Sequence, residues 1–313
     1  ASTGTIDAAN YNTGVGVDIF AALTTGDNNT AVGFGALDGI TTQGTNVAIG
    51  TNTLGGASNT ASDNTGVGYA VLLANTSGDN NVGVGVNAMQ ANTTGADNVG
   101  VGRNSLIANT TGGSNTAVGS RALDANTTGS SNNAFGINAL GANTTGEYNT
   151  AVGNNVLDAN TTADYNTSVG ASSLTNNTTG EHNVSLGADS LGNNTTASNN
   201  TAVGSSALYA NTTASNNTAV GRQALGANTT GADNTAVGYQ ALASTNNTRN
   251  LGIGYRALTA QSGSSDNIAI GHDALVRQTT GANGNIAIGN YAGRAVVSSA
   301  STSQLLAIGH DVA

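Results

Sequence analysis

The sequence predicts an all-β protein: a parallel β-solenoid (β-roll) of about 18 coils with a 17-residue repeat. Three observations carry this prediction. The stretch Asn115 to Ser131, NTAVGSRALDANTTGSS, recurs with variation along the whole chain. With Gly119 set as offset 0, equivalent glycines fall at Gly16, Gly33, Gly50, Gly68, Gly85, Gly102, Gly136, Gly153 and on to Gly309. The step is 17 residues except for 18 into Gly68, 16 into Gly254, 18 into Gly289 and 20 into Gly309. The third observation is the alternation of β-branched with tiny residues just before each glycine, the signature of a strand. Self-similarity at a short fixed period means an array of stacked units, each touching its neighbours and none able to fold alone.

Taken in order, each coil begins with Asn at offset −4, in every copy except the last, where Leu305 stands. Offset −3 is Thr, Val, Ile or Leu in nearly every copy, −2 is Ala, Gly or Ser, and −1 is Val, Ile, Leu or Phe. Read by size, the branched residues face a core and the tiny ones face a second, very close wall. Offset +4 is Leu almost throughout, with Met89 a volume-conserving substitute. A second strand is therefore expected near +2 to +6, with the glycine as the corner before it. The reading names Val118, Leu123, Val152, Leu157, Val203, Leu208, Val237 and Leu242 as core. Asn-Thr-Thr-Gly (Asn126 to Gly129) then forms a polar turn. Every change in repeat length falls between the Leu and the next Asn, which marks that stretch as surface loop.

Stacking brings each Asn over the last, so Asn115, Asn149, Asn166, Asn183, Asn200, Asn217 and Asn234 are expected to form a structural ladder. The Asn126 series makes a second one. The Asn-Thr-Thr triplets match the N-glycosylation pattern, but a periodic turn generates that match by itself.

Composition narrows the function. Charged residues are 8% of the chain and the net charge is −10, with seven Arg as the whole basic complement, which argues against a nucleic-acid partner. There is no Cys and therefore no thiol chemistry, and no Pro to interrupt a ladder. No stretch approaches the ~20 apolar residues of a membrane helix, so membrane insertion of this segment is not expected. His272-Asp273 and His310-Asp311 fall at +1 and +2, where adjacent strand residues would point to opposite faces. The calcium-type Gly-Gly-x-Gly-x-Asp repeat is missing, and acids at −5 (Asp63, Asp97, Asp233, Asp266) recur irregularly. No enzyme activity, metal or cofactor is expected. Offsets +1 and +2 alone vary freely. Arg222, Tyr239, Gln240, Tyr255, Arg256, His272 and Tyr291 form a candidate contact stripe there, of the residue types that dominate binding hot spots; the alternative is a solvated edge. Five of the seven Arg lie after residue 220.

The repeat NTAVGxxALxA, and especially its form NIAIG at Asn267 to Gly271 and Asn285 to Gly289, resembles head repeats of trimeric autotransporter adhesins. It is similar also to shaft repeats of phage-type tail fibres. The resemblance implies a left-handed parallel β-roll, three chains side by side, in an extracellular, cell-surface or virion appendage. It further implies a non-enzymatic fibre or adhesin segment that binds itself as a homotrimer, end to end or in a longer fibre, and attaches to a cell-surface receptor or glycan. The repeat here is longer than in those heads, and no coiled-coil stalk is present. The expected organisation is a lead-in (1–11), regular repeats (12–289) and an irregular last coil (290–313) continuing into further fibre. The alternative is an ice-binding solenoid using Thr and Asn columns; interchange of Thr at −3 with Val82, Leu251 and Ile268 argues that this Thr column faces inward, away from ice.

Overall fold

The structure, a computed structural model, describes residues 11–56, 59–260, 263–277, 283–294 and 304–312. Most of the expected lead-in (residues 1–10) and much of the expected last coil (295–303 and 313) lie outside the described residues. The fold is an all-β parallel solenoid, with no helix among the described residues. It divides into two compact units, Ala1–Thr162 and Ala163–Ala313.

Unit 1 carries nine short strands, from β1 (Thr13–Val15) to β9 (Thr150–Val152). Each is the −3 to −1 segment of one coil, and within the unit neighbouring strands in sequence pair in parallel. In β7 (Thr116–Val118) and β8 (Asn133–Phe135), for example, Thr116 pairs with Asn133, Ala117 with Ala134 and Val118 with Phe135. Strands β4 (Thr65–Tyr69) and β5 (Val82–Val86) run on through the glycine to offset +1. Unit 2 repeats the arrangement from β10 (Thr167–Val169) to β18 (Leu306–Ile308), with the same register throughout.

The interior is the reverse of what side-chain size indicates at the strand. The −2 residues Ala117, Ala151, Ser168, Ala202 and Ala236 are fully buried. The −1 residues face outward: Val118 and Val203 are half-buried, and Val152 and Val237 are 37% and 36% exposed. The expectation that these four valines form the core is therefore corrected, and so is the inward Thr at −3. Leu123, Leu157, Leu208 and Leu242 are fully buried. The physical reason is the thinness of the coil. A methyl carbon built on Gly100, at −2, would lie 3.2 Å from both Met89 Cγ of the preceding coil and Ser105 Oγ of its own. The space between the strand and the opposite wall holds Leu and one methyl, so the bulkier branched residues go outside.

The stretch from +2 to +6 is a chain of turns, not the expected second strand. Arg121 (φ 57°) and Leu123 (φ 52°) both adopt the left-handed conformation, and so does Ser114 at −5 (φ 58°). Strand geometry cannot pass through such residues. The turns still bond coil to coil like a ladder: Leu123 N–H donates to Ala139 O at 3.0 Å and Thr127 N–H to Thr144 O at 2.9 Å. The glycine at offset 0 is required by space as well as by φ. On Gly85 (φ 134°), a Cβ would stand 2.6 Å from the Gly102 carbonyl oxygen of the next coil.

Two asparagine columns line the buried interior. At −4, Asn115 Oδ1 accepts the Asn132 backbone N–H at 3.0 Å, and Asn115 Nδ2 donates to Gly129 O at 2.9 Å. In unit 2 the Asn183, Asn200, Asn217 and Asn234 N–H groups each donate to the Asn Oδ1 one coil back at 2.9–3.0 Å. The amides here bond to backbone and also to one another: Asn183 Nδ2 donates to Asn166 Oδ1 at 3.1 Å and to Ala197 O at 2.9 Å. In the second column they meet directly: Asn126 Nδ2 donates to Asn109 Oδ1 at 2.8 Å and to Gly129 O at 2.9 Å. Both amide hydrogens are thus used inside a buried ladder, which leaves this Asn-Thr-Thr triplet no surface amide for a glycan.

Candidate functional site

The outward strand face continues through the glycine to offset +1, and the coil turns sharply at the left-handed +2 residue. Parallel coils are one strand spacing apart, about 4.8 Å. Planar side chains in one column therefore meet at stacking distance. In unit 2 this happens along +1: the Tyr239 and Tyr255 ring centroids are 5.3 Å apart with planes 15° from parallel, and Tyr255 and His272 are 4.9 Å apart at 12°. Tyr291, at +2, closes the row edge-on against His272 at 5.1 Å and against His310 at 6.0 Å.

Arginines border the rings. Arg222 Cζ lies 5.8 Å from the Tyr239 centroid, Arg256 Cζ 5.9 Å from that of Tyr255 and Arg294 Cζ 5.1 Å from that of Tyr291. Such contacts contribute roughly 0.5–1 kcal/mol each at exposed sites. Beneath the rings, Asp273 is only 8% exposed, with Oδ1 3.4 Å from Arg256 Nε and Oδ2 3.6 Å from His272 Nδ1. The expectation that His272 and Asp273 point to opposite faces is corrected. Asp273 is left-handed (φ 53°), so the pair sits on a turn where neighbouring side chains converge.

The structure thus joins Tyr239, Tyr255, Arg256, His272 and Tyr291 in one patch with Arg222 at its edge. Gln240 belongs to a neighbouring feature: its Nε2 donates to Gln223 Oε1 at 2.9 Å. That amide pair borders a groove of about 390 Å³, also lined by Ser206, Tyr209, Gly226 and Ala243. Sequence reasoning passed over Tyr209 and Gln223, and set Asp273 on the face opposite His272. The signal for Tyr209 was present: it stands at +5 between Gly192 and Gly226, the equivalent residues one coil either side.

Among the described residues no group of three His, Asp or Glu gathers as a cation site. The irregular acids at −5 have another explanation: Asp63, Asp97, Asp233 and Asp266 are all left-handed (φ 59–63°), a conformation that Asn and Asp tolerate best after Gly. Comparison of the chain with protein-family models, curated proteins and solved structures found no match.

Proposed function

We propose that the chain is a segment of a non-enzymatic, extracellular fibre or adhesin, wound left-handed and assembled as a homotrimer, whose C-terminal unit presents a contact patch for attachment to a surface. The observation that carries this reading is the outward strand face. Its −3 and −1 columns set apolar side chains in register on neighbouring strands, including Leu251, Ile253, Ile268, Ile270, Ile286, Ile288, Leu306 and Ile308 in unit 2. Ile253 is 36% and Ile288 38% exposed. A contiguous apolar face of this kind marks an interaction surface, and three copies around an axis would cover it on every chain. Sedimentation velocity at micromolar concentration tests the assembly. Three times the 30.4 kDa chain mass is expected, and a monomer sinks the trimer.

One observation favours a second reading, ice binding. Thr201, Thr218 and Thr235 stand in register on the outward face beside Val203, Val220 and Val237, so the argument that this Thr column faces inward no longer applies. The fibre remains the better reading because the Thr column gives way to Leu251, Ile268 and Ile286 in unit 2 and is broken by Asn133 beside Phe135 in unit 1. Thermal hysteresis in a solution of the chain would reverse that preference.

A further inference from the structure

We infer that the groove beside Tyr209 in unit 2 is a binding site for a neutral saccharide. The inference deepens the attachment reading above and rests on it for the biological role of the site, but its chemistry stands on the groove alone. A sugar ring offers an apolar C–H face and a rim of hydroxyls, each both donor and acceptor. It is held by an exposed ring set against its flat face and by fixed polar groups at its edge.

The groove has both. A Cβ on Gly192 would lie 3.1 Å from Tyr209 Cε2, so the ring leans over that glycine. On the other side the equivalent residue is Gly226, whose would-be Cβ has the Gln223 backbone as its nearest neighbour at 3.1 Å, and there the groove opens. The Tyr209 residue is 44% exposed. Its hydroxyl and the Ser206 hydroxyl have no hydrogen-bond partner among the described residues. Gln223 and Gln240, both left-handed at +2 (φ 58° and 53°), hold each other through one amide bond. That bond leaves the Gln223 side-chain NH2 donors and the Gln240 Oε1 acceptor without a protein partner among the described residues. One amide pair thus offers both a free donor and a free acceptor to the hydroxyls of a sugar. The lining carries no charged side chain, which selects a neutral sugar over an acidic one. The volume lies in the range of small-ligand sites.

The test is saturation-transfer-difference NMR on the full chain with methyl glycosides of glucose, galactose, mannose and N-acetylglucosamine, and that of N-acetylneuraminic acid as charged comparator. At least one neutral glycoside is expected to show transfer strongest at its ring C–H protons. Tyr209→Ala and Gln240→Ala should each weaken that signal about fivefold. Tyr209→Phe should keep the ring-proton transfer, and Tyr148→Ala in unit 1 should change nothing. Matching far-UV spectra and melting curves show that the variants fold. No transfer to any neutral glycoside, transfer to the charged one alone, or a signal that survives Tyr209→Ala overturns the inference. A trimer that binds no glycoside sinks the groove and leaves the fibre reading standing; a monomer that binds one does the opposite.

Discussion

Each coil repeats a few residues whose reasons are local, and their energetics are testable one at a time. Buried polar groups are acceptable only when satisfied. The clearest instance is the serine cluster that replaces alanine at −2 and +3 in two coils of unit 2. Ser173 Oγ lies 2.7 Å from Ser168 Oγ, 2.8 Å from Ser185 Oγ and 3.1 Å from Ser190 Oγ, while Ser190 also donates to Gly187 O at 2.8 Å. Removing Ser173 alone strands the Ser168 hydroxyl, which has no other partner among the described residues, so Ser173→Ala is expected to cost about 1–3 kcal/mol in denaturant unfolding. Replacing all four serines by Ala restores the motif of the other coils and should come out near neutral. If the single variant is the more stable of the two, the network is not what holds these side chains. Glycine at offset 0 is the opposite case, defined by what cannot be added. Gly85→Ala meets both the left-handed penalty and the Gly102 carbonyl, and more than about 3 kcal/mol of destabilisation is expected.

Among the elements of a coil, the strand and the Leu were legible from the sequence, because a column of one residue type every 17 positions has few other causes. Which strand face is inside was not legible. Alternation specifies two faces but not their sides, and the usual guide, that large apolar residues go in, fails where the cavity is one methyl wide. The turn after the glycine was misread because Leu123 and Arg121 carry no sequence mark of a left-handed conformation, whereas Asn104 and Asn138 at the same +2 offset do. The residues of the aromatic patch were legible as variation on a constant background; the groove was not, since it depends on Tyr209 leaning toward one glycine and away from the other. The +5 offset also carries a pH response. Burial raises Asp124 and Asp158 in unit 1 above the usual carboxylate range, with Arg121 opposing it. Asp38 is raised likewise by burial, with its own backbone amide opposing and Asp18 adding a smaller push upward. A raised acid binds its proton more readily folded than unfolded. These groups therefore stabilise the fold below about pH 3.9, and that contribution falls away as pH rises through their higher folded values. Asp158→Asn should raise the melting temperature at pH 7 and have little effect at pH 4. An equal shift at both pH values would remove Asp158 from the account.

On the scale of the whole molecule, a solenoid has to distinguish the apolar surface that folds a coil from the apolar surface left over. The two belong here to different columns, so they can be separated by substitution. Leu157 lies in the fully buried column, and Leu157→Asp puts an unpaired charge where no partner exists; local unfolding of its coil is expected. Val152, five residues earlier in the same coil, lies on the outward face. A charge there is hydrated in a single chain and costs little, since an exposed substitution away from special features usually stays within about 0.5 kcal/mol. In the proposed trimer the same charge meets a neighbour's apolar column. Val152→Asp, combined with Ile253→Asp on the equivalent column of unit 2, is therefore expected to lower the sedimenting mass to that of one chain while the far-UV spectrum stays that of wild type. Should the double variant remain a trimer, association does not use this face. Should it unfold as Leu157→Asp does, the outward columns belong to the core after all, and the division between folding surface and assembly surface is wrong.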